Sequence, residues 1–229
     1  MPEFPRSDTG APSARFGAQP LAQTREAAAA LRRLTGLLLS QEHPHPAVGE
    51  LLVMARQWEN ALSATAPTDN APRVGDAGEN RRIYLDHAFD IGGYNPCFPE
   101  YRFDRVDPER AEGRVNFPLP FEGPPGLVHG GFLGVFFDCV VQQHNCSVGP
   151  AGKTRSLTVT YRRPAPLLAD LRFEIDRSAG ERSIASTARL LLGDTVLCSG
   201  AVEAVAAAPK TLAGASYGER RPMPDRPSE

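Results

Sequence analysis

The residues best suited to chemistry sit in one run, GLVHGGFLGVFFDCVVQQHN at positions 126–145. A histidine and two glycines open it, an apolar stretch follows, and one carboxylate, Asp138, interrupts "VFFDCVV". An unpaired charge among apolar side chains is costly. Asp138 is therefore either satisfied by a neighbour such as Gln142 or kept as a base or nucleophile. Glycines at the start of a helix leave backbone N–H groups free to hold a developing oxyanion. His129, just before them, can donate a second hydrogen bond or cap the turn. The same three residues also suit a plain strand-to-helix turn, and residue types alone do not separate the two.

Gly131, Gly134, Asp138 and Gln142 fall on one stripe of that helix, where the small residues let a backbone or ligand come close. The remaining positions are apolar nearly all round, which predicts a buried helix. Asp138 lies two turns beyond Gly131, about 10 Å along the axis at ~1.5 Å per residue. Both cannot reach one carbonyl within a single chain. Two such helices related by a two-fold axis can bring them together.

The elements that must carry this helix follow from periodicity. "LAQTREAAAALRRLTGLLLS" and "AVGELLVMARQWENALSA" have helical apolar spacing, and "HPHP" at 43–46 separates them. After residue 80 the pattern shifts to alternating runs: "EYRFDRVDP" and "AEGRVNFPL", then the helix, then "TRSLTVTYRRP", "LRFEIDRS", "RSIASTARLLLG" and "TVLCSGAVEAVA". Two strands, one helix and four strands joined by short loops predict an α+β domain, an antiparallel sheet holding a helix on one face. The expected organisation is a disordered tail at 1–20, a helical extension at 21–64, a linker at 65–80, the main domain at 81–208 and a flexible tail at 209–229.

Composition excludes several classes. Of 229 residues, Lys and Arg number 25 against 27 Asp and Glu, so no basic field points to nucleic acid or an anionic membrane. No apolar run approaches the ~18–20 residues of a membrane span, and the N-terminus lacks a signal-peptide core, so a cytoplasmic protein is expected. The four cysteines contain no C-x-x-C pair and read as reduced and structural. "GASYG" at 214–218 fits a serine-nucleophile pattern by chance: no strand precedes Ser216 and no histidine follows it. His144 and Cys146, two apart on a helix, do not face each other. His43 and His45 are too few for a metal, and His87 has no evident partner. No metal or redox cofactor is implied.

"GLVHGGFLGVFFDCVVQQHN…KTRSLTVTYRRPAPL" resembles the hotdog-fold acyl-CoA thioesterases, particularly the PaaI-like group. The shared features are G-x-x-H-G-G, an aspartate nine residues after that His, and a strand ending in T-x-x-Y-x-x-P, in this order over residues 84–206. The resemblance implies a hotdog fold, with a sheet wrapped around its helix, joined edge to edge into a dimer or dimer of dimers. It implies that the Gly130 amide and His129 polarise a thioester carbonyl while Asp138 of the neighbouring subunit attacks or activates water, assisted by Thr154. Gly131, Gly134 and Gln142 would border the substrate, an acyl-CoA or acyl-carrier thioester, with Arg162 and Arg163 near the CoA phosphates. Many relatives carry Asn six residues before the His, where this chain has Gly123; Asn95 and Asn116 are the nearby substitutes. A hotdog protein that binds acyl-CoA without turning it over is the alternative implied by that departure. Phe132, Phe136, Phe137 and the N-terminal helices are expected to set pocket depth.

Overall fold

The computed structural model describes residues 20–65, 90–149 and 152–206. The expected linker and both tails lie almost wholly outside these residues, as do His87 and Ser216. Six strands form one antiparallel sheet: β1 (Tyr101–Val106), β2 (Arg110–Val115), β3 (Gly152–Tyr161), β4 (Leu171–Ala179), β5 (Ser183–Leu192) and β6 (Thr195–Ala206). Their spatial order is β1-β2-β4-β5-β6-β3, so β1 and β3 are the edges. The predicted α+β class, with a helix on one face of an antiparallel sheet, is what forms.

Alternation explains the sheet. Leu171, Phe173, Ile175 and Arg177 of β4 face inward, as do Ile184, Ser186, Ala188 and Leu190 of β5, while the residues between them face water. The outer face carries cross-strand ion pairs instead, among them Arg189 with Asp176 at 2.6 Å and Arg114 with Asp104 at 3.0 Å. The inner face packs on α3 (Gly130–Val148), whose Phe136, Phe137, Val140 and Val141 are fully buried. Each such side chain contributes roughly 1.5–3 kcal/mol. Contact is close where Gly200 of β6 passes α3: an added Cβ would lie 2.6 Å from the Phe137 ring. Phe136 also meets Tyr101, Phe117 and Phe173 edge-on, with ring centroids 5.5–6.0 Å apart.

One expectation about α3 needs correction. The helix is not buried all round: Gly131 is exposed, and Gly134, Val135, Asp138 and Cys139 are half-buried. The described residues leave this side of the helix partly uncovered.

Both N-terminal helices form, α1 (Ala22–Leu39) and α2 (Pro46–Ser63). Pro46 opens α2 at the position where its missing N–H costs nothing, and His45 caps it by accepting from the Ala47 N–H at 3.2 Å. The α1 helix docks through Arg32, which is 6% exposed. Its guanidinium donates to the carbonyls of Gly92, Asn95 and Phe98 and to Glu100, fixing the loop that leads into β1. By contrast α2 buries no residue, and Leu52, Trp58 and Leu62 are exposed.

Candidate active site

The site is built from the first turn of α3, the middle of α3 and the edge strand β3. His129 is the N-cap of α3, and its Nδ1 accepts from the Gly131 N–H at 3.0 Å. A neutral imidazole that accepts at Nδ1 carries its proton on Nε2. His129 is exposed, and the Gly130 amide belongs to the unsatisfied start of the same helix. Backbone donor and ring donor thus share one turn.

Two turns along the helix, the Asp138 carboxylate accepts the Thr154 hydroxyl at 2.7 Å across to β3. Gln142, one turn further, is 7% exposed, and its amide lies 2.6 Å from Thr154 Oγ1. With nitrogen toward the hydroxyl it completes a chain Gln142→Thr154→Asp138, since the single hydroxyl proton goes to the carboxylate. Turned over, the amide donates to the Gly152 carbonyl and accepts from the Thr154 N–H, both at 3.2 Å. In either orientation Gln142 is committed to the first residues of β3. Asp138 is half-buried and has a hydroxyl partner; it is not enclosed in apolar surroundings.

The structure therefore brings Asp138, Thr154 and Gln142 together, and His129, Gly130 and Gly131 together, as two separate groups on one helix. Eight residues separate Gly130 from Asp138, roughly 12 Å along the axis. Gly134 lies between the groups and faces β3, where an added Cβ would meet Leu157 and Val159 at 3.9 Å. Gly123 packs on the back of His129: an added Cβ would stand 2.8 Å from His129 Cα. Each of the two nearby asparagines has a partner of its own. Asn95 accepts from the Cys97 N–H at 3.0 Å, and Asn116 reaches Asp170 at 3.5 Å.

Phe136 and Phe137 belong to the core; Phe132 alone of the three stays half-buried, packed edge-on to Phe121 and 6.0 Å from the His129 ring. Arg162 lines a shallow groove of about 350 Å³ with Thr187, Arg189 and Ser199, on the sheet face away from α3. Arg163 is exposed, and neither arginine has a carboxylate partner among the described residues.

Other titratable groups lie outside this arrangement. His144 is fully buried and donates from Nε2 to the Asp107 carbonyl at 2.6 Å; burial lowers its pKa. It is a structural ring. The Cys139 thiol, next to Asp138, is pushed up to about 12 by burial and by the Asp138 and Asp90 carboxylates, which disqualifies it as a nucleophile at neutral pH. None of the four cysteines is in a disulfide. Asp90 was missed in the sequence: burial drives it up to about 7, against the hydrogen bonds it accepts from the Tyr101 and Gly92 N–H groups. Its only signal was the "DIGG" turn, which resembles any other Asx turn. Among the described residues no three His, Cys, Asp or Glu side chains gather as a metal site, and no helix is long and apolar enough to cross a membrane.

Comparison with solved structures matches this architecture. A thioesterase superfamily protein aligns at a TM-score of 0.67 and 26% identity, over 85% of this chain and 97% of its own. This chain has the hotdog fold of the thioesterase superfamily. The matched span exceeds residues 81–208, so the likeness reaches beyond the sheet domain. Other matches cover 46% of the chain at TM-scores of 0.43. They include a phenylacetic acid degradation-related protein from Ralstonia eutropha JMP134, 21% identical over 83% of its length. Another is a thioesterase protein from Streptococcus pneumoniae TIGR4 with coenzyme A, 16% identical over 88% of its length. No protein-family model matches the chain.

Proposed function

We propose that this protein hydrolyses an acyl-CoA or carrier-bound acyl thioester at a site shared by two copies of the chain. The observation that carries the reading is Asp138, bonded by Thr154 on the open side of the same helix whose N-terminus presents the Gly130 amide and the His129 Nε2–H. One copy supplies the donors that hold the carbonyl oxygen, and the other supplies the carboxylate. Strand β3, which pairs only with β6 among the described strands, is the natural joining line, because an edge strand offers N–H and C=O groups to a second strand.

In this reading a water held by Thr154 and Asp138 attacks the thioester carbon while its proton passes to Asp138. The oxygen gains charge against the partner's Gly130 amide and His129, preorganised donors that need not rearrange as charge develops. Collapse of the tetrahedral intermediate breaks the C–S bond, and the thiolate leaves and takes up a proton as CoA. Direct attack by the carboxylate, with water then resolving an anhydride, uses the same residues. Gly131 and Gly134 leave room for the acyl group along the helix. Arg163, exposed at the end of β3 and without a carboxylate partner among the described residues, suits the phosphates of the CoA moiety, whereas Arg162 lines the groove on the other face of the sheet. No metal or redox cofactor is needed.

A binding protein without turnover is the second reading, favoured by Gly123, which leaves the site one polar partner short. Thiol release from a panel of short, long and aromatic acyl-CoAs decides between them. Turnover that drops at least a hundredfold in Asp138→Asn supports the proposal. Tight acyl-CoA binding without thiol release makes this a binding module.

A further inference from the structure

The peptide unit joining Gly130 to Gly131 is held at both ends by side chains. Its N–H donates to His129 Nδ1 at 3.0 Å, and its carbonyl accepts the Tyr161 hydroxyl at 2.9 Å. Tyr161 is the last residue of β3, and its ring lies over Gly130: a Cβ added there would stand 3.0 Å from the hydroxyl. In a helix the Gly130 carbonyl already receives the N–H four residues on. The tyrosine uses its second lone pair. Without that bond, the first turn of a helix, opening on two glycines, is where fraying is easiest.

We infer that Tyr161 is a positioning residue for the oxyanion turn, fixing the direction of the Gly130 amide through the peptide plane beside it. This rests on the thioesterase reading for its catalytic consequence, but the geometry stands independently. The Gly130 N–H belongs to the preceding peptide unit, and its direction is set by rotation about the bonds flanking Gly130. Pinning the following unit removes one of those freedoms. Donors that hold an oxyanion act through fixed direction, and a donor that wanders loses transition-state stabilisation while ground-state binding changes little.

The same bond ties the turn to the strand edge. Thr154 and Tyr161 belong to the one strand β3: Thr154 bonds Asp138 and Tyr161 bonds Gly130. Both halves of the shared site are thus fastened to the strand that joins the two copies, so assembly through β3 sets carboxylate and donors together.

The test is Tyr161→Phe, which removes only the hydroxyl. Amide exchange in the segment 128–134 and the steady-state constants are read on the same samples. Exchange at least fivefold faster in the variant is expected, with kcat down about tenfold and KM within about threefold. Restoring the donor with Tyr161→His, if it recovers part of kcat, supports the hydroxyl as the cause. Exchange and kcat both unchanged in Tyr161→Phe overturn the inference. If wild-type protein releases no thiol, the thioesterase reading fails instead, and the exchange measurement alone decides the role of Tyr161.

Discussion

Putting an asparagine at position 123, the residue that the resemblance to hotdog thioesterases leads one to expect there, should damage this protein. The added Cβ would lie 2.8 Å from His129 Cα and 3.0 Å from His129 Cβ, closer than real Cβ atoms sit to backbone. His129 cannot step aside freely: its N–H donates to the Phe121 carbonyl at 2.9 Å, and its ring caps α3 through Gly131. Overpacking of this kind costs typically 1–3 kcal/mol. Spread over a chain of this size, it would lower Tm by roughly 2–10 °C. Displacing His129 also turns Nε2–H and the Gly130 amide away from a common point, and loss of one oxyanion donor costs about a hundredfold in kcat. The expected result for Gly123→Asn is therefore lower Tm and a kcat reduced by at least tenfold, read by thermal unfolding and thiol release. A variant with unchanged Tm and higher kcat would show that the chain accommodates the asparagine and that the glycine is a deficit, refuting the steric argument.

Other residues give further tests. Gln142→Leu keeps the side chain's approximate size and burial but removes the amide that bonds Thr154, so kcat should fall about tenfold with KM little changed; equal loss in Asp138→Asn and in the double variant would place the two in one unit. His144 provides a pH test. Its folded pKa is lowered by burial, so its neutral form contributes stability that is full above about 6.5, the unfolded value, and is lost as pH falls below it. Asp90, raised to about 7 by burial, contributes the opposite slope over the same range, so His144 is read from the difference. As pH falls from about 7 to about 5, the denaturant midpoint of His144→Gln should rise relative to that of the wild type, and parallel profiles would remove His144 as the cause.

Much of this was legible in the chain. Strand alternation showed the sheet, because each inward face is read off as every second residue. The His129–Gly130 turn and Asp138 stood out because their types are unusual for an apolar helix. Three features were not legible. Arg32 reads as one polar position on α1; its partners lie 60 or more residues away, and only the fold brings their carbonyls to one point. Tyr161 belongs to the T-x-x-Y-x-x-P pattern, but its bond to Gly130 spans 31 residues and depends on how β3 lies against α3. The partial exposure of α3 was the third, since apolar residues on its half-buried side look the same in sequence as those of an interior.

The central claim is that carboxylate and oxyanion donors come from different copies. The direct measurement is complementation: mix Asp138→Asn protein with Gly130→Val protein, unfold and refold them together, and assay thiol release. Each variant alone should be nearly inactive. Random pairing makes half the dimers mixed, each with one intact site, so activity near a quarter of wild type is predicted, about 25%. A mixture no more active than the mean of its two components would contradict the shared site.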